Sequence, residues 1–260
     1  MNYHLLSAFC CMLTVAATRA DAETATNMNE SNNSNVYTIV AFGDSTTAPR
    51  GTLKIYSQIL QDNLRIKSGN IQVINAGVGG NTTTDARKRF ETDVLSHSPN
   101  LVIIGFGIND SAVDVWKEPP ESQPRVARAE YENNLRRFVL LLKSQKSQVI
   151  FMTPNALHWT PELKKIYGKP PYNPGDPDGF NILLRDYAES VRKIAREESA
   201  RLVDVFAAFE KFGKESGQST DDLLLDGMHP NERGQRIAAD LLIKEIITMN
   251  PAINLNPTAR

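Results

Sequence analysis

Downstream of residue 22 the sequence carries three histidines, His97, His158 and His229, and only His229 has an acid at useful spacing. Asp226 precedes it by three residues in Asp226-Gly227-Met228-His229-Pro230. On a loop or a first helical turn that is near enough for the carboxylate to accept a hydrogen bond from Nδ1. Such a bond fixes the tautomer that leaves Nε2 free to take a proton, and it stabilises the imidazolium that results. A base so placed needs a nucleophile, because a serine hydroxyl attacks poorly until its proton is removed. Ser45 is the candidate: it ends Val40-Ala41-Phe42-Gly43-Asp44-Ser45, an apolar stretch that stops at glycine and delivers a serine. Ser45, His229 and Asp226 together would suit acyl transfer.

That reaction also needs donors aimed at the oxyanion of a tetrahedral intermediate. The block Asn75-Ala76-Gly77-Val78-Gly79-Gly80-Asn81-Thr82 offers the Gly80 amide, at a residue whose missing side chain lets a ligand approach the backbone. The block Gly107-Ile108-Asn109-Asp110 offers the Asn109 side-chain amide, and the amide of Ser45 itself is a third donor. Gly77, Gly79 and Gly107 read as tight strand-to-helix turns, and Asp44 and Asp110 as loop braces that bond backbone amides. Each block alone is ordinary; the four in order are not. His97, in Ser-His-Ser-Pro, falls on a helix-to-strand loop at the far end of the sheet, and reads as a surface residue.

The elements that must hold these residues alternate along the chain. Apolar strand candidates lie at 36–42, 71–75, 101–105, 148–152 and 202–206, three of them nearly continuous apolar runs. Parallel strands covered on both faces have that character. Between them Leu53, Tyr56, Leu60 and Leu64 form one stripe at helical spacing, and Tyr131, Leu135, Phe138 and Leu142 another. A helix from about Asn231, with Ala238, Leu241, Leu242 and Ile246 inward, closes the domain, and Pro251 stops it before a tail over 251–260. The expectation is an α/β domain over 36–250, a three-layer α/β/α sandwich on a five-stranded parallel sheet. Two long connections, 111–124 and 154–180, follow strands and should emerge at the carboxyl edge, where ligands bind in open α/β sheets. Trp116, His158, Trp159 and Tyr172 lie on them and are candidate substrate contacts.

A formal net charge of -1 leaves no electrostatic footprint for nucleic acid or an anionic membrane surface. Leu5 to Ala17 is an uncharged apolar run followed by small residues, the pattern of a signal peptide over 1–22 cleaved after Ala20 or Ala22. No lipid-attachment box precedes Cys10 or Cys11, the only cysteines. The mature protein would then lack disulfides, zinc-thiolate sites and a cysteine nucleophile, and would work in the periplasm or outside the cell without stable membrane insertion. The polar, aperiodic stretch 23–35 reads as a flexible linker. Phosphoryl transfer is a poor fit, since the sequence has neither a Walker-type loop nor a carboxylate cluster for magnesium.

In their order and spacing the four blocks resemble the SGNH hydrolases, also called GDSL esterases and lipases, named for the residues that are here Ser45, Gly80, Asn109 and His229. The resemblance covers residues 36 to 250. Thr46 and Thr47 after the serine differ from many members, and the Gly-x-Ser-x-Gly elbow of α/β-hydrolases is absent. It implies a flavodoxin-like sheet and ester hydrolysis through an acyl-enzyme, with no metal and no organic cofactor. With an export signal and an aromatic loop at the active edge, the expected substrate is an acetylated carbohydrate. A lipolytic esterase of the lysophospholipase kind, or a catalytically silent glycan-binding module, are the alternatives.

Overall fold

A computed structural model describes residues 36–66 and 69–256. The expected leader (1–22) and linker (23–35) lie outside the described residues. In chain order the elements are β1 (Val36–Gly43), α1 (Tyr56–Asn63), β2 (Leu64–Ile66), β3 (Asn70–Gly77), α2 (Thr83–Asp93), β4 (Leu101–Gly105), α3 (Ile108–Ser111), α4 (Arg128–Ser144), β5 (Gln148–Met152), α5 (Pro161–Tyr167), α6 (Ile182–Glu197), β6 (Arg201–Val203), α7 (Val205–Gly213), α8 (Glu232–Met249) and β7 (Ile253–Leu255).

Five strands form one sheet in the order β3-β1-β4-β5-β6, every neighbouring pair parallel. This is the flavodoxin-like arrangement, and the strand order reverses direction between β1 and β4. Both faces are covered, because successive side chains of a strand point to opposite sides. Ile39, Ala41, Leu101, Ile103, Ile150 and Met152 feed one core with α1, α7 and α8. Val40, Phe42, Val102, Ile104, Val149 and Phe151 feed the other with α2 and α4. Hence β4 and β5 are apolar at nearly every position: neither face meets water. In the second core Phe42 meets Phe90, Phe106 and Phe138 edge-on, at centroid distances of 5.4, 5.1 and 5.6 Å, anchoring the strand that leads to Ser45.

Four elements differ from expectation. Of the first helical stripe, Leu53 precedes α1 and Leu64 opens β2, so only Tyr56 and Leu60 lie on the helix. The fifth strand ends at Val203, since Asp204 caps a helix by accepting a hydrogen bond from the Ala207 amide, and Val205, Phe206, Phe209 and Phe212 bury one face of α7. The stretch 154–180 is not all loop: Thr160 caps α5, with Pro161 in its first turn. Residues 252–256 of the expected tail are not loose either, and 257–260 lie outside the described residues. β7 pairs antiparallel with β2, Ile253 opposite Ile66, and Ile253 is fully buried.

Candidate active site

Ser45 sits just past the carboxyl end of β1, in a turn braced from four directions. The Asp44 carbonyl accepts hydrogen bonds from the Thr47 and Ala48 amides, and its carboxylate accepts from the Thr46 amide and hydroxyl, both at 2.9 Å. From β3, Asn75 Nδ2 donates to the Thr47 carbonyl at 2.7 Å. From α8, Gln235 Nε2 donates to the Thr46 carbonyl, and the Thr47 and Tyr56 hydroxyls are 3.0 Å apart. Gly77 makes the close approach of β3 possible: a Cβ there would lie 2.3 Å from the Ala48 nitrogen.

His229 reaches Ser45 from the loop before α8. An isolated bridge pairs Leu224 with Pro230, and the Leu225 amide donates to the His229 carbonyl. Asn231 then caps α8, accepting from the Arg233 and Gly234 amides. Within this clasp Asp226 Oδ1 accepts from the Met228 and His229 amides at 3.0 and 2.9 Å, and Oδ2 lies 2.8 Å from His229 Nδ1. His229 Nε2 is 3.0 Å from Ser45 Oγ. Partial burial would raise the Asp226 carboxyl, but the bonds from His229 and Met228 outweigh it and hold the group below the usual carboxylate range. Asp226 is therefore an anion beside the imidazole, and Nδ1 donates to it.

Gly80 and Asn109 arrive from the ends of β3 and β4. Gly80 has φ +76, in the left-handed region that favours glycine. Among the described residues no protein group accepts from the Ser45 or Gly80 amide. Asn109 Nδ2 donates to the Asn81 carbonyl at 3.1 Å, which leaves its second hydrogen uncommitted. Asp110 is fully buried and ties α3 to α2, accepting from the Thr83 amide at 2.8 Å and hydroxyl at 2.5 Å. Its Oδ2 has no partner among the described residues. Burial, chiefly, pushes this carboxyl up to about 7 against the pull of the Thr83 bonds, and the Asp44 charge adds to the rise. Both aspartates thus brace loops.

A cavity of about 260 Å³ opens beside Ser45 and His229. Its wall is mainly apolar, with Leu157, Tyr167, Phe180, Leu184 and Met228, and Arg125 supplies the charge. Of the four loop residues expected to contact substrate, Tyr172 lines this cavity. Its hydroxyl accepts from the Val113 amide at 2.9 Å, and burial pushes it up to about 12, so it remains a neutral phenol. Trp159 is buried behind the wall, stacked on Phe180 at 4.3 Å with its indole donating to the Asp176 carbonyl. Trp159 thus backs the Phe180 and Tyr172 part of the wall. His158 is half-buried and outside the lining, its amide bonded to the Gly227 carbonyl, and Trp116 is half exposed on 111–124. His97 is exposed at the opposite end of the sheet. Sequence reasoning missed Arg125 and Phe180. Neither lies in a motif, and only the return of the two long connections brings them to the cavity.

An unpaired serine amide, a glycine amide and a carboxamide around a serine–histidine–aspartate line have the parts that acyl transfer requires. Residues 41–237 match the family model described as the GDSL-like Lipase/Acylhydrolase family. The uncharacterized lipoprotein YqeF of Bacillus subtilis is 31% identical over 218 residues, 76% of this chain and 85% of that protein. The acetylxylan esterase of Geobacillus stearothermophilus is 32% identical over 179 residues, 68% of this chain and 72% of that protein. A crystal structure of an acetylxylan esterase from the same organism superposes with a TM-score of 0.63 at 28% identity, covering 81% of this chain and 94% of that one. That enzyme has also been solved as catalytic mutants in which a serine, an aspartate or a histidine is replaced by alanine, the last two three positions apart.

Proposed function

The chain belongs to the GDSL-like lipase/acylhydrolase family and is a carboxylic ester hydrolase, and on that premise we propose that it cleaves acetyl esters of carbohydrate by serine catalysis at Ser45. The observation that carries the reading is the continuous line Asp226–His229–Ser45, with contacts of 2.8 and 3.0 Å. The three-residue spacing of aspartate and histidine in the related esterase's catalytic mutants supports it.

The geometry supports the following steps. Ser45 Oγ attacks the ester carbonyl carbon while its proton passes to His229 Nε2. The oxyanion that forms takes hydrogen bonds from the Ser45 and Gly80 amides and the free hydrogen of Asn109 Nδ2. Collapse breaks the bond to the alcohol oxygen, which leaves with the proton from His229 and an acyl-Ser45 behind it. Water then attacks the acyl group, again giving its proton to His229, and the acid departs as Ser45 recovers its hydrogen. Asp226 keeps the imidazole in the correct tautomer throughout.

Acetylated sugar is favoured as substrate by the acetylxylan esterase relative and by the aromatic wall at Tyr167, Tyr172 and Phe180. A second reading rests on the same cavity: Ile108, Leu157, Leu183, Leu184 and Met228 would accept an aliphatic chain, as a lipolytic esterase requires. Family membership leaves the silent glycan-binding module without support. The apolar run at 5–17 and the lipoprotein relative support work outside the cytoplasm, and among the described residues no helix is long and apolar enough to cross a membrane. The deciding experiment compares acetate release from acetylated xylo-oligosaccharides with hydrolysis of p-nitrophenyl acetate, butyrate, octanoate and palmitate. The sugar reading expects acetate esters to dominate; a maximum at octanoate or beyond would replace it with the lipolytic one.

A further inference from the structure

Arg125 lies at the end of the long connection after α3, and the backbone pins it there. Its amide donates to the Ala112 carbonyl at 2.9 Å, and the Val126 amide donates to the Asp110 carbonyl at 3.1 Å, closing 111–124 against the end of β4. The guanidinium is held in turn. Nε and Nη2 donate to Asp114 Oδ1 at 2.9 and 2.7 Å, and the buried Asp114 also pairs with Lys117 at 3.1 Å through Oδ2. The remaining arm, Nη1, donates to Asn109 Oδ1 at 3.2 Å.

An asparagine side chain is nearly symmetric in shape and opposite in chemistry at its two ends. A half-turn of the Asn109 carboxamide would put a carbonyl oxygen where the oxyanion forms. Two one-way partners forbid that turn: the guanidinium can only donate, and the Asn81 carbonyl can only accept. Both require Oδ1 toward Arg125 and Nδ2 toward the site. We propose that Arg125, anchored by Asp114, is a positioning residue for the reaction, fixing the Asn109 amide so that its free hydrogen faces the oxyanion. This rests on the reading of Asn109 as an oxyanion donor.

The test is a double-mutant cycle on the full chain with p-nitrophenyl acetate, using Asn109→Ala, Arg125→Met and both together. Asn109→Ala should lower kcat about 10²- to 10³-fold, the cost of one oxyanion donor. Arg125→Met should lower kcat at least about tenfold, a part of that loss, with KM little changed. In the Asn109→Ala background the same substitution should change kcat by no more than about twofold, because its only route to the reaction is gone. If Arg125→Met does not fold, Arg125→Lys takes its place; lysine keeps a cation beside Asp114 but cannot span Asp114 and Asn109 together. Equal losses in the two backgrounds would overturn the inference, as would a rise in KM with kcat unchanged, which marks direct substrate binding by Arg125. A wild-type kcat in Asn109→Ala would fell the oxyanion reading itself, an outcome distinct from the other two.

Discussion

His229 Nε2 stands 3.0 Å from Ser45 Oγ across 184 residues of chain. Neither residue's own loop could create that distance. Ser45 is set by β1, with braces from β3, α1 and α8, whereas His229 is set by the clasp that starts α8. Gln235 belongs to both halves: it lies one turn beyond the cap that fixes His229, and it bonds the Thr46 carbonyl of the serine turn.

Asp226→Asn should lower kcat about 10³- to 10⁴-fold with little change in KM, since an amide in that place no longer selects the tautomer with Nε2 free. Steady-state kinetics on p-nitrophenyl acetate, with a melting curve to confirm folding, measures it. A loss under about tenfold would mean that the carboxylate is not needed for the base to work. The held-down carboxyl has a second consequence: its stabilisation is present above the ordinary carboxylate range and is lost as pH falls through the lowered folded value.

Gly77→Ala should disturb the Ser45 turn from the neighbouring strand. The added methyl would stand 2.3 Å from the Ala48 nitrogen and 2.6 Å from the Thr47 carbonyl carbon, both backbone atoms of the serine turn. The expected outcome is a loss of about 1–3 kcal/mol of stability together with a fall in kcat. Urea denaturation and kinetics on the same sample test it; an unchanged midpoint would show that the turn has slack.

Asp110 predicts an unusual pH dependence of stability. Between the ordinary value of 3.8 and the folded value of about 7, the folded protein keeps a proton that the unfolded chain has released. The group's contribution is therefore most favourable at low pH and declines as pH rises through that window, at roughly 1.4 kcal/mol per pH unit. Asp110→Asn removes the decline, so the difference in unfolding free energy between variant and wild type should move in the variant's favour from pH 4 to 7. Denaturation midpoints across that range measure it, and parallel profiles would contradict it.

What the sequence disclosed and what it withheld divide along physical lines. β4 and β5 were legible to the residue because burial on both faces leaves an uninterrupted apolar run. The motif residues were legible because their chemistry restricts them to few types. Ser45, Gly80, Asn109 and His229 come together here, though none is adjacent to another in the chain. The end of β6 was misplaced because Val205 and Phe206 extend an apolar run equally well as strand or helix; the Asp204 cap and the spacing to Phe209 and Phe212 were the signal. β2 and β7, three residues each, are too short for any alternation to register. Arg125 was beyond reach, because an arginine after a proline in a connection becomes meaningful only when the chain folds back onto Asn109.

Ser45 is the proposed nucleophile, and kcat for p-nitrophenyl acetate in Ser45→Ala decides whether it is. Removal of the hydroxyl should lower kcat by about 10⁴- to 10⁶-fold in a protein that melts like the wild type, since members of such a triad act as a unit. Hydrolysis within about tenfold of wild type would contradict the mechanism.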